Sequence, residues 1–333
     1  MNPTTHIIYA GGTFGSHGTP LSPLPADKFL PILKQQLTDR LPSISIDILP
    51  NTIIKDSSTL TPSDFTELYG LILHAYADGK RRFVLITGTD SLSFLAAFLA
   101  NAFADFDDIR LIITGSMQPL FVSDNPIYTI NETSDAWANL SESIMATTIQ
   151  TGVFVQFAHK LMYALDTQKL DSQNFDAFVG RLVGDGTDTV NQQTDQAVLD
   201  SQQANITPTL DGKLARLPNL LDRAKRTQIS AVYCLPNDVV NIEHQLTHLS
   251  DATKAVILIG FGAGNVPSSQ GLIEILDDLS KRQISVICTT MCAFGGTNTN
   301  YAAGAWQYQH GVRGSDKGIA GIYGQTLWQV LQA

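Results

Sequence analysis

The chain has 333 residues, enough for two domains, and its 44% hydrophobic content supplies a sizeable core. Its net charge of -10 repels phosphate backbones, and no basic stripe surrounds the short run Lys80-Arg81-Arg82, so a nucleic-acid partner is not expected. No stretch reaches about eighteen apolar residues and no basic, apolar leader opens the chain, so we expect no membrane association and a cytoplasmic location.

The elements follow from short apolar runs alternating with helical patterns. Residues 6–9 read as a strand ending in Gly11-Gly12, and residues 44–49 as a second strand stopped by Pro50. A helix starts at Thr61, with Pro62 in its first position and Asp64 completing a capping box. Phe65, Leu68, Ile72, Ala75 and Tyr76 then recur on one face. Residues 83–86 form a third strand and 92–103 a helix apolar over most of its surface, hence deeply packed. Residues 109–113 form a fourth strand, 136–147 a helix, and 152–157 a fifth strand. Periodicity fades from 185 to 225, with Pro208, Gly212 and Pro218 as punctuation. It resumes in strands at 229–235, 255–259 and 284–288, with helices near His244 and Leu272 between them. The organisation is α/β: a larger N-terminal, mainly parallel sheet domain (1–190), a linker region (191–225) and a smaller C-terminal α/β domain (226–333).

Ligands of such sheets lie beyond the carboxyl ends of the strands. Four polar clusters fall there. Ala10-Gly11-Gly12-Thr13 follows the first strand and Asp56-Ser57-Ser58 the second. Thr87-Gly88-Thr89-Asp90 follows the third, and Thr114-Gly115-Ser116 the fourth. Glycines let the backbone approach a ligand, and the helix starting near Ser91 points free N–H groups at the same crevice. Each hydroxyl taken singly is also an ordinary turn or cap residue, but turns need no matching hydroxyls beyond successive strands. Dinucleotide and P-loop fingerprints are missing. His17, His74 and His159 have no ligand spacing, and the 3 cysteines, Cys234, Cys288 and Cys292, suit a core or pocket wall, so no metal is expected.

The runs Ile8-Tyr9-Ala10-Gly11-Gly12-Thr13-Phe14-Gly15 and Leu85-Ile86-Thr87-Gly88-Thr89-Asp90-Ser91-Leu92 resemble the two signatures of the bacterial-type asparaginase/glutaminase family. Ile113-Thr114-Gly115-Ser116-Met117-Gln118-Pro119, Ser134-Asp135 with Asn139-Leu140, and Phe261-Gly262-Ala263-Gly264-Asn265 match further family segments in order. The Asp56-Ser57-Ser58 form resembles the cytoplasmic type I branch. The resemblance implies a flavodoxin-like larger domain and hydrolysis of the side-chain amide of free asparagine without metal or organic cofactor. Glutamine or another short carboxamide is the alternative substrate, and a non-catalytic amino-acid-binding protein is the reading from another class.

Residue by residue, the resemblance implies Thr13 as nucleophile, with Thr89, Asp90 and Lys169 as the second catalytic set. A lysine kept neutral by burial would draw a proton through Thr89. Ser57 would hold the substrate α-carboxylate and Asp90 its α-ammonium, with Asp56, Ser58 and Ser116 also lining the substrate site. A homodimer or homotetramer is implied, with residues 262–265 and 298–301 as candidate contacts. Cys292 falls where some members carry a cysteine near a second asparagine site. This sequence departs from the family in three places. The loop after the first signature has no tyrosine, leaving Thr19 and Ser22 as the candidate lid hydroxyls. Thr87 stands where the branch has histidine, and residues 121–131 read as an insertion at the crevice mouth.

Overall fold

The computed structural model describes residues 3–122, 125, 127–184, 209–298, 300 and 302–333. The larger sheet contains β1 (Thr5–Tyr9), β4 (Ile46–Ile48), β5 (Arg82–Ile86), β6 (Arg110–Thr114), β7 (Gly152–Phe157) and β8 (Lys160–Tyr163). Their spatial order is β4-β1-β5-β6-β7-β8; all neighbours are parallel except the last pair. Counted within the sheet, the parallel part has the flavodoxin-like order 2-1-3-4-5. The strand order reverses between β1 and β5, the place where ligands of such sheets bind. Between β1 and β4 lie the short strands β2 (Ser16–His17) and β3 (Ser22–Pro23), paired as an antiparallel ribbon.

Helices cover both faces. On one side, α2 (Pro62–Ala77) and α3 (Leu92–Ala102) pack with Ile8, Leu85 and Leu111. On the other, α1 (Ala26–Arg40) and α4 (Ala136–Ile149) pack with Ile7, Val84 and Ile112. The alternation of strand residues between the two cores is the period-2 rule of a sheet buried on both faces. Thr61 caps α2 through the expected box: its hydroxyl accepts from the Asp64 N–H, and the Asp64 carboxylate accepts from the Thr61 N–H. Burial works to raise the Asp64 pKa, but hydrogen bonds from Lys55 and Thr61 outweigh it and hold the carboxyl below its usual range.

Of the expected linker, residues 191–208 lie outside the described residues, and Leu210–Ala224 form a helix, α5. Leu217, Leu220 and Ala224 of α5 join the first core. Both α1 and α5 carry an internal proline, Pro31 and Pro218. A proline deletes one backbone hydrogen bond without ending a helix whose apolar face is held by packing.

The second sheet is parallel throughout, in the order β11 (Gln228–Tyr233), β12 (Thr253–Gly260), β13 (Ser285–Thr290), β14 (Arg313–Gly314). Its helices are α6 (Val240–Thr247) and α7 (Gln270–Lys281). The last helix, α8 (Ile319–Gln332), returns to the first unit and packs on α3. There a Cβ on Gly324 would lie 2.4 Å from the Phe98 nitrogen, so the two helices cross nearly in backbone contact. Cys234 and Cys288 are buried, whereas Cys292 is exposed. Among the described residues no helix is long and apolar enough to cross a membrane, and no group of three or more His, Cys, Asp or Glu is placed to hold a metal ion.

Candidate active site

The crevice floor is made by three loops that leave parallel strands and press together. After β1 the chain turns at Gly12, with φ of 87°, into a 3-10 turn, Thr13–Gly15. A Cβ on Gly12 would lie 2.3 Å from the Gly88 Cα, and one on Gly88 would lie 2.4 Å from the Ser57 Oγ. Only glycine at both positions lets the loops after β1 and β5 and the Ser57 segment touch. The contact sets Thr13 and Thr89, the residues that follow these glycines, at neighbouring places on the rim.

Thr13 is half-buried, and its hydroxyl forms no hydrogen bond among the described residues. Thr89 is buried. Lys169 lies on the short strand β9 (Gln168–Lys169), which pairs antiparallel with β10 (Phe178–Val179). Its Nζ donates to the Thr89 Oγ1 at 2.9 Å and to the Asp90 Oδ1 at 2.9 Å. The Lys169 side chain is 22% exposed and lies beside the Asp90 carboxylate. The structure thus brings Thr89, Asp90 and Lys169 into one hydrogen-bonded set.

Ser57 is 3% exposed, and its Oγ accepts from the Asp90 N–H at 3.2 Å. The Ser91 hydroxyl, in turn, donates to the Ser57 carbonyl at 2.6 Å. Ser57 therefore keeps its own hydroxyl hydrogen free for another acceptor. Asp56 caps the short turn that follows, accepting from the Ser58 N–H at 2.9 Å and the Ser58 Oγ at 2.8 Å. Those two bonds hold the Asp56 carboxyl below its usual range, and both side chains sit at the exposed rim. Ser116 and Thr87 are buried with hydroxyls unpartnered among the described residues.

Asp135 received no role from the sequence beyond its match to a family segment. Its buried carboxylate accepts from the Met117 N–H at 2.8 Å and the Gln118 N–H at 3.1 Å, while the Asn139 Nδ2 bonds the Gly115 carbonyl at 3.0 Å. Together they clamp the turn that carries Ser116. Burial raises the Asp135 pKa against these hydrogen bonds. The one sequence signal for it was an Asp immediately before a helix, which equally describes a cap.

Both lid candidates, Thr19 and Ser22, are exposed on the β2–β3 ribbon. The Tyr9 hydroxyl lies buried beneath the Thr13–Gly15 turn, where a Cβ on Gly15 would come within 2.0 Å of it. Burial pushes its pKa far up. Of the candidate contact residues, Thr299 and Tyr301 lie outside the described residues.

Residues 4–195 match the family model described as Asparaginase, N-terminal. The chain is 24% identical over 316 residues to L-asparaginase 1 of Escherichia coli K12, covering 93% of this chain and 86% of that protein. It is 25% identical over 314 residues to the L-asparaginase of Thermococcus kodakarensis, covering 92% and 86%. The crystal structure of L-asparaginase I from Vibrio cholerae matches with a TM-score of 0.71 at 22% identity, covering 100% of this chain and 94% of that one.

Proposed function

The chain belongs to the asparaginase family, with the type I branch, and is an L-asparaginase-like amidohydrolase; on that premise we propose that it converts free L-asparagine to L-aspartate and ammonia through Thr13. The observation that carries the proposal is the Lys169 Nζ, bonded at 2.9 Å to both the Thr89 Oγ1 and the Asp90 Oδ1, beside a threonine whose hydroxyl is free.

The substrate α-carboxylate takes the free hydrogen of Ser57, and the exposed Asp90 carboxylate takes the α-ammonium. Ser58 and Asp56 form the outer rim of the site, and Ser116 contributes a further polar contact. The Thr13 Oγ attacks the amide carbon. Its proton passes through the Thr89–Lys169 set to the leaving nitrogen, and ammonia departs. Backbone N–H groups at Thr13 and Thr89 receive the oxyanion. The aspartyl ester on Thr13 is then cleaved by water, deprotonated through the same set. We place the reaction in the cytoplasm of the cell. We also propose a homodimer or homotetramer in which the partner's smaller sheet unit completes the site; sedimentation showing a fully active monomer would contradict that assembly.

The purified protein is expected to release ammonia from asparagine faster than from glutamine, and Thr13→Ala to lose release while still binding asparagine. Faster release from glutamine would make the protein a glutaminase. Binding of asparagine without any ammonia would make it an amino-acid-binding protein.

A further inference from the structure

The ribbon that follows the nucleophile turn has no tyrosine of its own, but a tyrosine from another part of the chain packs on it. Beside the turn, Phe121 and Ile130 form an antiparallel bridge, the base of a hairpin described at residues 120–122, 125 and 127–131. The Leu120 N–H donates to the Phe14 carbonyl at 3.0 Å, the Asn131 N–H returns to the Leu120 carbonyl at 2.8 Å, and the Val122 N–H bonds the Thr129 carbonyl at 2.9 Å. Near its tip the Asn125 side chain accepts from the Ile127 N–H at 3.0 Å and donates to the Thr129 Oγ1 at 2.8 Å. That turn sets Tyr128 at a φ of 50°, a left-handed conformation that a bulky residue adopts only under surrounding constraint.

The result is a continuous chain of tilted and edge-on ring contacts. Phe29 of α1 meets Phe121 at 5.8 Å between centroids, Phe121 meets Tyr128 at 5.9 Å, and Tyr128 meets His17 of β2 at 5.0 Å. The His17 Nε2 is buried with no hydrogen-bond partner among the described residues, so ring contact is what the structure shows fixing that end of the imidazole. The hairpin therefore grips the catalytic segment twice, by backbone at Phe14 and by ring at His17. Thr13 lies one residue before the first grip, and the ribbon runs on from the second.

We propose that Tyr128 is a positioning residue: packed against His17, it holds the β2–β3 ribbon against the Thr13 turn and so orders the nucleophile for attack. The inference rests on Thr13 being the nucleophile. Aromatic pairs of this kind contribute beyond their buried area, and a lid held in place orders the group beneath it.

The test compares the parent with Tyr128→Ala, Tyr128→Phe, His17→Ala and the Tyr128→Ala/His17→Ala double variant. It reads kcat and KM for asparagine, amide hydrogen exchange along residues 16–24, and the melting temperature. For Tyr128→Ala, kcat/KM is expected to fall about tenfold, mainly through kcat, and exchange to quicken in the ribbon alone at unchanged melting temperature. Tyr128→Phe should restore both, and His17→Ala should add nothing in the Tyr128→Ala background. Parental kinetics and exchange in Tyr128→Ala would overturn the proposal. Additive effects in the double variant would do so too, as would a loss accompanied by faster exchange throughout the molecule. If the parent itself releases no ammonia, the proposed function fails, while ribbon exchange in the same variants still decides whether Tyr128 holds the ribbon.

Discussion

The floor of the crevice is built at the ends of parallel strands, where polar side chains are locked to one another. Lys169 bridges Thr89 and Asp90, Asp90 is tied back to Ser57, and Ser57 is tied to Ser91. The roof is built from two strands of two residues each, with Thr19 and Ser22 exposed and a ring contact of His17 with Tyr128 among the described residues. The difference separates two tasks. A floor that must stabilise charge needs donors fixed before the substrate arrives, because their value lies in not having to reorganise. A roof that must admit substrate and then exclude water needs contacts weak enough to open.

Three substitutions break or sharpen that contrast, from the largest effect downwards. Lys169→Met removes the bridge of the floor, and asparagine turnover is expected to fall by about 10²–10⁴-fold with the fold intact by circular dichroism. Retained turnover would mean that Thr89 finds its proton acceptor elsewhere. Ser57→Ala removes the proposed donor to the substrate carboxylate and should weaken binding by about 1.5–3 kcal/mol, read as a higher KM with kcat less affected. An effect on kcat alone would move Ser57 from binding to chemistry. Asp64→Asn, beneath the floor, should act on stability. The Asp64 pKa is depressed in the fold, so its carboxylate stabilises the protein above the unfolded-state carboxyl value, and that contribution is lost as pH falls through the folded value. Denaturant melts of the Asn variant should therefore show a shallower acid limb, converging on the parent at low pH; parallel curves would remove Asp64 from the account.

The floor was legible in the sequence because its residues sit where apolar strands stop. The runs before Gly11 and Thr87 mark the strands, and the hydroxyls and carboxylate that follow are out of place as mere turns. The box at Thr61 and the mostly apolar α3 were readable for the same local reasons. The helix α5 was not, because Pro218 reads as punctuation when packing carries the helix through it, and α1, with Pro31 inside it, drew no reading from the sequence. The position of Lys169 followed only from the family resemblance. Nothing local marks a lysine whose partner lies some eighty residues earlier, the separation of 80 that the fold closes to a hydrogen bond. Tyr128 is the extreme case. Its local sequence reads as an inserted loop, and its contact with His17 exists only once α1, Phe121 and the ribbon are assembled.

The proposed acyl-enzyme forms on Thr13, whose hydroxyl has no hydrogen-bond partner among the described residues, and not on Thr89, which Lys169 holds. Mass spectrometry of protein quenched in acid during asparagine turnover, followed by peptide mapping, tests it directly. The account predicts an aspartyl ester on the peptide containing Thr13, absent from Thr13→Ala. An ester on the peptide containing Thr89, formed at the rate of ammonia release, would contradict it.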